Sequence, residues 1–247
     1  MAALARVELT LLGRSKGTLF AALVVPLILP FSTKSATDQM DLEGTGLSVG
    51  TVLLPASIGF SLLFAVYSAL TAVFVARREE LVLKRLRTGE LRDNEILAGA
   101  ALPSVCIGLG QSLLLAVGCG FVLDTGAPQA PQYAVLGLLA GIVVCAALAA
   151  VTASFSRTTE SAQVTALPLL FISMLGSGMI IPLEVLPDRL ATFCELLPLT
   201  PVMTLIRGGW TGDLGGGDLI RAVVTALAWI ALSVFAVRRW FRWEPRH

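Results

Sequence analysis

Long apolar runs separated by short polar breaks dominate the chain, at 17–31, 51–76, 96–123, 133–155, 163–181 and 219–237. A helix needs roughly 20 apolar residues to cross the hydrocarbon of a bilayer. The pattern therefore predicts six spanning helices. The first run is short and holds Pro26 and Pro30, so its start is left open toward the segment before it. That segment, ALARVELTLLGRSKG, carries Leu4, Val7 and Leu11 at helical spacing, with Arg6, Glu8 and Arg14 between them. This spacing predicts an amphipathic helix over 1–16, lying in the membrane interface.

The breaks are unequal in character. RREELVLKRLRTG, at 77–89, is dense in charge yet carries leucines. Read as a helix, it places Leu83 and Leu86 three residues apart, and Val82 and Leu86 four apart, on one face. Glu80 and Lys84 support the helix at i and i+4, and Arg77, Lys84, Arg85 and Arg87 surround the stripe. Gly89 fits a C-cap, and Asp93 or Asn94 fits the cap of the next helix. Two readings are open: a basic loop lying on anionic lipid, and a docking helix for a partner, stripe in a groove and charges at its rim. The break before the last run is different. IIPLEVLPDRLATFCELLPLTPVMTLIRGGW is too apolar for an exposed loop, and Pro182, Pro187, Pro198 and Pro201 interrupt any single helix. It predicts a broken hairpin over 182–210 that lies on the membrane or dips into it, which backbone tolerates when protein or a cavity surrounds it.

Composition sharpens this picture. Hydrophobic residues make up 55% of the 247 and charged residues only 14%, against about 25% charged in soluble domains. The fold class expected is all-α, a polytopic membrane protein forming one domain over 1–247. Basic residues cluster on one side of the predicted spans: Arg6, Arg14 and Lys16; the 77–92 break; Arg157; and Arg238, Arg239, Arg242 and Arg246. The other side has Lys34, Arg189, Arg207 and Arg221. By the positive-inside rule both termini lie in the cytoplasm, as does 77–94. A net charge of +1 offers no bulk attraction for nucleic acid. No A-x-A-like site follows the first apolar run, so no cleaved leader is expected.

Candidate chemistry is sparse. The P-loop pattern is absent, and GRSKGT at Gly13 has the wrong spacing. His247 is the only histidine. Cys106, Cys119, Cys145 and Cys194 have no metal-ligand spacing; they read as small hydrophobes, with a Cys119–Cys194 disulfide left open. Glu184, Glu195 and Asp188 could suit acid–base chemistry at the outer face, but with no metal-ligand histidine nearby structural or gating roles suit them better. Inside the spans the polar points are Gln111, Thr152, Ser173 and Thr225, and GLLAG at 137–141 permits close helix packing. A chain with so few intramembrane titratable groups, and no nucleotide motif, needs an external energy source to move anything uphill.

This layout resembles the permease subunit of ABC-2 type transporters across essentially the whole chain. RREELVLKRLRTGELRDNEILAGAAL is similar to that family's coupling-helix region, and the P…LP…LLP.T pattern with its trailing arginine, Arg207, is similar to its outer hairpin. The resemblance implies an exporter half, driven by two copies of a separate ATP-binding cassette ATPase that holds ATP and Mg; this chain itself holds no cofactor. It implies ATPase contact through Leu83, Lys84, Arg85, Leu86 and Arg87, with Glu79 and Glu80 bracing the elbow. It implies a second permease copy, with Phe60, Phe64, Tyr67, Phe171 and Met174 on the seam or substrate path, and a gate near Glu184, Glu195 and Arg207. The expected cargo is hydrophobic or amphiphilic, a drug, antibiotic or lipid; a polysaccharide or lipid-linked glycan is the alternative. A membrane-embedded enzyme and a non-transporting scaffold are the readings from other classes.

Overall fold

The computed structural model describes residues 49–88, 92–122, 125–180, 183, 186–241 and 243. The expected interfacial helix over 1–16, the run at 17–31, Gly89 and Glu184 lie outside the described residues. Among those described there are helices and turns and no strand. The apolar runs explain this. Between its ends a helix satisfies its backbone N–H and C=O groups within itself, which hydrocarbon demands.

The first described helix runs unbroken over Gly50–Glu79. It consists of α1 (Val49–Ser61), a π-helical stretch (Leu62–Ser68) and α2 (Ala69–Glu79). In the π stretch the Ala69 N–H reaches the Phe64 carbonyl, five residues back. A turn follows and then α3 (Val82–Arg87). α4 (Asp93–Val122) and α5 (Pro131–Phe155) are the next two long helices, and Pro131 stands in the first turn of α5, where its missing N–H costs nothing. α6 (Thr159–Gly176) opens with a capping box: Thr158 Oγ1 accepts from the Ser161 N–H at 3.1 Å, and Ser161 Oγ accepts from the Thr158 N–H at 2.9 Å. α7 (Asp188–Glu195) and α8 (Thr200–Thr211) form a pair bent by 93°. α8 stops at Gly212, whose φ of 76° is the left-handed conformation a helix end favours in glycine. α9 (Gly216–Trp240) closes the chain, with Asp218 in its first turn and Arg238 and Arg239 in its last, both matched to the helix dipole.

Among the described residues, four helices are long and apolar enough to cross a membrane: Gly50–Glu79, Asp93–Phe121, Pro131–Phe155 and Gly216–Trp240. They coincide with four of the six expected runs. The run at 163–181 differs. Its helix, α6, stops at Gly176 rather than continuing to 181. Gly178 turns the backbone at φ 72°, and a Cβ on Gly176 would lie 2.3 Å from Leu197 Cδ1. The space beyond α6 belongs to the hairpin.

α5 is the centre of the packing, against the first span, α8 and α9. Its glycines explain how α8 fits. An added Cβ at Gly137 would meet Leu205 and Ile206 at 2.9 Å; one at Gly141 would meet Val202 at 2.8 Å; one on Gly209 would meet the Ala134 backbone N at 2.5 Å. α8 therefore runs antiparallel to α5 over 134–141, backbone close to backbone. The Ala130 N–H bonds the Gly209 carbonyl at 2.9 Å and sets the register. α8 of the hairpin thus packs alongside a long apolar helix, and Val202, Met203, Leu205 and Ile206 are among the most buried side chains of the described residues. The GLLAG pattern is the groove that receives it. Two polar pairs join helices in this layer: Ser61 Oγ donates to Gln111 Oε1 at 2.7 Å, and the Tyr67 and Thr152 hydroxyls lie 3.0 Å apart. Cys119 and Cys194 are both free thiols, so no disulfide joins them.

Gly209→Leu should unseat α8 and lower stability by about 1–3 kcal/mol, the usual cost of overpacking. Gly110→Leu, where an added Cβ meets nothing within 4 Å, should be near neutral. Thermal unfolding of both variants in detergent, followed by thiol exposure, checks this.

Candidate functional site

The charged break after α2 is built as an elbow. Arg78 is the largest fully buried side chain among the described residues. Its guanidinium crosses to the end of α5, where Nη1 donates to the Ala153 carbonyl at 2.9 Å and Nη2 to the Ser156 carbonyl. These are carbonyls at a helix C-terminus, where partial negative charge collects. The end of α2 is thereby fastened to the end of α5. Next to it, Glu79 accepts from the Thr159 N–H at 3.3 Å and from the Thr159 hydroxyl, at the start of α6. Glu79 thus ties the end of α2 to the α5–α6 turn. Glu80 is exposed and ends α2.

Leu81 then takes φ 59°, a left-handed conformation unusual for a non-glycine residue, and leaves its side chain 39% exposed. This residue reverses the chain, and α3 restarts on a different phase. Leu83 consequently points inward and is fully buried. Leu86 is half-buried, while Arg85 and Arg87 are exposed. The leucine stripe expected to meet a partner is, at Leu83, part of the elbow's own anchor. Leu81 and Arg85, one turn apart, are exposed on the outward side. Lys84 lies on α3 between them, its side chain outside the described residues.

Arg87 fixes the far end of the elbow. Its Nε pairs with Asp93 Oδ1 at 3.2 Å, and its guanidinium lies 5.0 Å from the centre of the Trp243 ring. Asp93 is the first residue of α4 rather than its cap; the carboxylate that reaches back is Glu95, which accepts from the Arg92 N–H at 2.8 Å. Arg78, Thr159, Asp93 and Trp243 were not among the expected site residues. A double arginine at a span end was visible, but nothing in the sequence separates the buried Arg78 from Arg77 beside it.

The five aromatic and methionine candidates divide. Phe64 on the π stretch and Phe171 on α6 are exposed, and Phe60 and Met174 are half-buried. Tyr67 is fully buried, its hydroxyl shared with Thr152 and the Ala166 carbonyl. It joins the π stretch to α5 and α6 from within and offers no surface. Phe171 instead shares an exposed apolar face of α6 with Val164, Leu167 and Leu175, and Phe64 is exposed on the π stretch.

At the opposite end, Glu195 and Arg221 form an ion pair at 2.9 Å in a cavity of about 320 Å³ between α7, α8 and α9, with Asp218 and Thr225 in its wall. Glu195 thus joins the hairpin to α9 and is already neutralised by a cation. Arg207 Nη2 donates to the Gly178 carbonyl at 3.1 Å, which holds the turn after α6 against α8. α7 begins at Asp188. The structure brings Glu195 and Arg207 to the same hairpin but gives each its own tether.

Residues 1–210 match the family described as ABC-2 type transporter. The chain belongs to that family. No curated protein matches it closely enough to serve as a relative. An ABC-2 permease is the membrane component of an ABC transporter, and this one is a multi-pass membrane protein with its elbow at one end of the spans and its hairpin at the other. The match covers both features, and ends before α9.

Arg78→Gln should lower stability by on the order of 2–3 kcal/mol through loss of charge-assisted bonds. Arg78→Lys should recover only part of it, since a single ammonium does not reproduce the guanidinium fork. Melting temperatures of the detergent-solubilised variants decide this. Leu83→Ala should likewise destabilise, whereas Leu81→Ala should not.

Proposed function

We propose that this permease is half of the membrane unit of an ABC exporter in the plasma membrane, with the elbow and both termini in the cytoplasm. Two copies of a separate ATP-binding cassette ATPase, carrying ATP and Mg, dock on the elbows of two permease copies. They drive a hydrophobic or amphiphilic cargo outward. The family match supports the transporter reading, and one geometric observation carries the docking. Leu81 and Arg85 are exposed one helical turn apart on an elbow fastened at three points, by Arg78 to α5, by Glu79 to α6 and by Arg87 to α4. A surface so tethered passes a push from outside into three helices at once. A loop serving only to lie on lipid needs no such bracing.

The bare face around Phe171 is where a second copy fits. It is apolar, and packing against a like surface suits two copies of one chain. Cargo preference follows from the same face. Its side chains offer dispersion contacts and few hydrogen bonds, whereas the Gln111 carbonyl and the Thr152 hydroxyl are paired inside the chain. That chemistry favours amphiphiles over a polyhydroxylated glycan.

Leu81→Asp combined with Arg85→Glu should abolish capture of a P-loop ATPase by the tagged permease purified from its own cell. It should also abolish ATP-dependent flux in vesicles, with the melting temperature unchanged. An ATPase retained by that variant at wild-type yield would remove the elbow as the docking surface. Absence of any ATPase with the wild type would count against the exporter reading itself.

A further inference from the structure

One cavity is not accounted for by docking, by the bare face or by the hairpin. It measures about 200 Å³ and lies at the elbow end of the spans, among α2, α4, α5 and α9. α9 packs on α5 and α8 but makes no comparable contact with α4, so a groove is left between α4 and α9. Its floor is small and apolar: Ala101 of α4, and Ala146, Ala147 and Ala150 of α5. Its polar lining is confined to one end, where Asn94 and Arg238 face it. From Asn94 to Ala101 is seven residues, about 10 Å of helix. The groove is therefore graded from polar to apolar along the membrane normal. Its one charged lining residue is a cation, and no carboxylate lines it.

The depth of the polar end can be read from its neighbours. Trp240 is half exposed two residues beyond Arg238 and packs against Phe155 and Phe235, with ring centres 6.2 and 6.5 Å away. Tryptophan in such a cluster marks the level of lipid headgroups. Arg238 thus stands at phosphate depth, with an alanine-floored slot running from it into the hydrocarbon. α9 is the least buried of the four long helices, so lipid reaches the groove directly.

We propose that this groove is a binding site for one anionic glycerophospholipid of the leaflet on the elbow side, its phosphate on Arg238 and Asn94 and an acyl chain over the alanine floor. Charge and gradient argue together. A cation backed by a donor suits a phosphodiester, basic pockets between spans on the cytoplasmic side suit anionic headgroups, and alanines leave room for a chain where larger residues would fill it. The position adds a consequence. Asn94 adjoins Asp93, the partner of Arg87 in the elbow. A bound lipid would join α9 to α4 immediately behind the elbow and make its stiffness depend on anionic lipid. Binding is independent of the transport reading, and the test below reads lipid rather than flux.

The full chain is placed in nanodiscs of phosphatidylcholine with a minor fraction of phosphatidylglycerol, and the lipid retained after ejection is identified by native mass spectrometry. The expected result is retention of phosphatidylglycerol well above its bulk fraction. That enrichment should fall to the bulk ratio in Arg238→Gln, and in Ala98→Phe, which puts a ring in the groove from an exposed position. Arg239→Gln, which removes a neighbouring cation that does not line the groove, should keep it. Phosphatidylglycerol should also raise the melting temperature of the wild type and leave that of Arg238→Gln unmoved. Equal retention of the two lipids by the wild type, or enrichment that survives both groove variants, would overturn the proposal. So would a wild type that retains no lipid, the result expected if another part of this chain fills the groove.

Discussion

A single guanidinium holds the elbow end of this permease together. Arg78 is a full charge taken out of contact with water, and such a charge persists only where oxygen atoms surround it. The oxygens come from the frayed end of α5, whose last carbonyls have no partner in their own helix. Each side solves the other's problem. Because the bond joins two helix ends rather than two side chains, it fixes where the first span stops and how the chain leaves it. Leu81, Glu79 and Arg87 act within that frame: one reverses the chain, one reaches the next turn and one closes onto α4.

Association within the membrane-spanning layer follows a different rule. Lipid tails are as apolar as leucine, so burying leucine against leucine gains little, and close approach of backbones has to carry the packing. α5 is built for that. Gly137 and Gly141 open its surface to α8, and Gly209 answers from the other side at Ala134. The hairpin is consequently an inserted piece of the helical layer, while the Glu195–Arg221 pair and the Arg207–Gly178 bond secure its ends. Proline at 187, 198 and 201 breaks the helix where these turns need it.

Much of this was legible beforehand. The four long spans follow from the length of apolar runs alone, and the elbow and hairpin from the polar and proline interruptions. What escaped reading has a common physical cause. In a membrane protein the core-facing and lipid-facing sides of a helix are both apolar, so hydrophobic periodicity does not say which side is which. Tyr67 reads as a seam residue yet lies inside, whereas Phe64, about one turn away, is bare. Leu83 and Leu86 were assigned to an outward stripe on the assumption of one continuous helix; the left-handed Leu81 shifts the phase and turns Leu83 inward. Arg78 counted as one basic residue among several for orientation, because its partners are backbone carbonyls, which leave no trace in sequence. Gly176 looked like the interior of a span, since the leucine that crowds it lies 21 positions on in the chain.

The π-helical stretch from Leu62 to Ser68 bears on how such a frame moves. A π turn carries one residue more than an α turn in each hydrogen-bonded loop. The residues on either side of it are out of step by about 100°, the angular share of one residue in an α-helix. Were the extra residue to slide toward the elbow, the part of the span it passed would rotate by that angle and shift by about 1.5 Å, with hydrogen bonds exchanged rather than lost. The first span thus contains a dislocation, in the crystallographer's sense. Displacing it is a way for a rigid rod to turn one segment against its neighbours without bending or breaking.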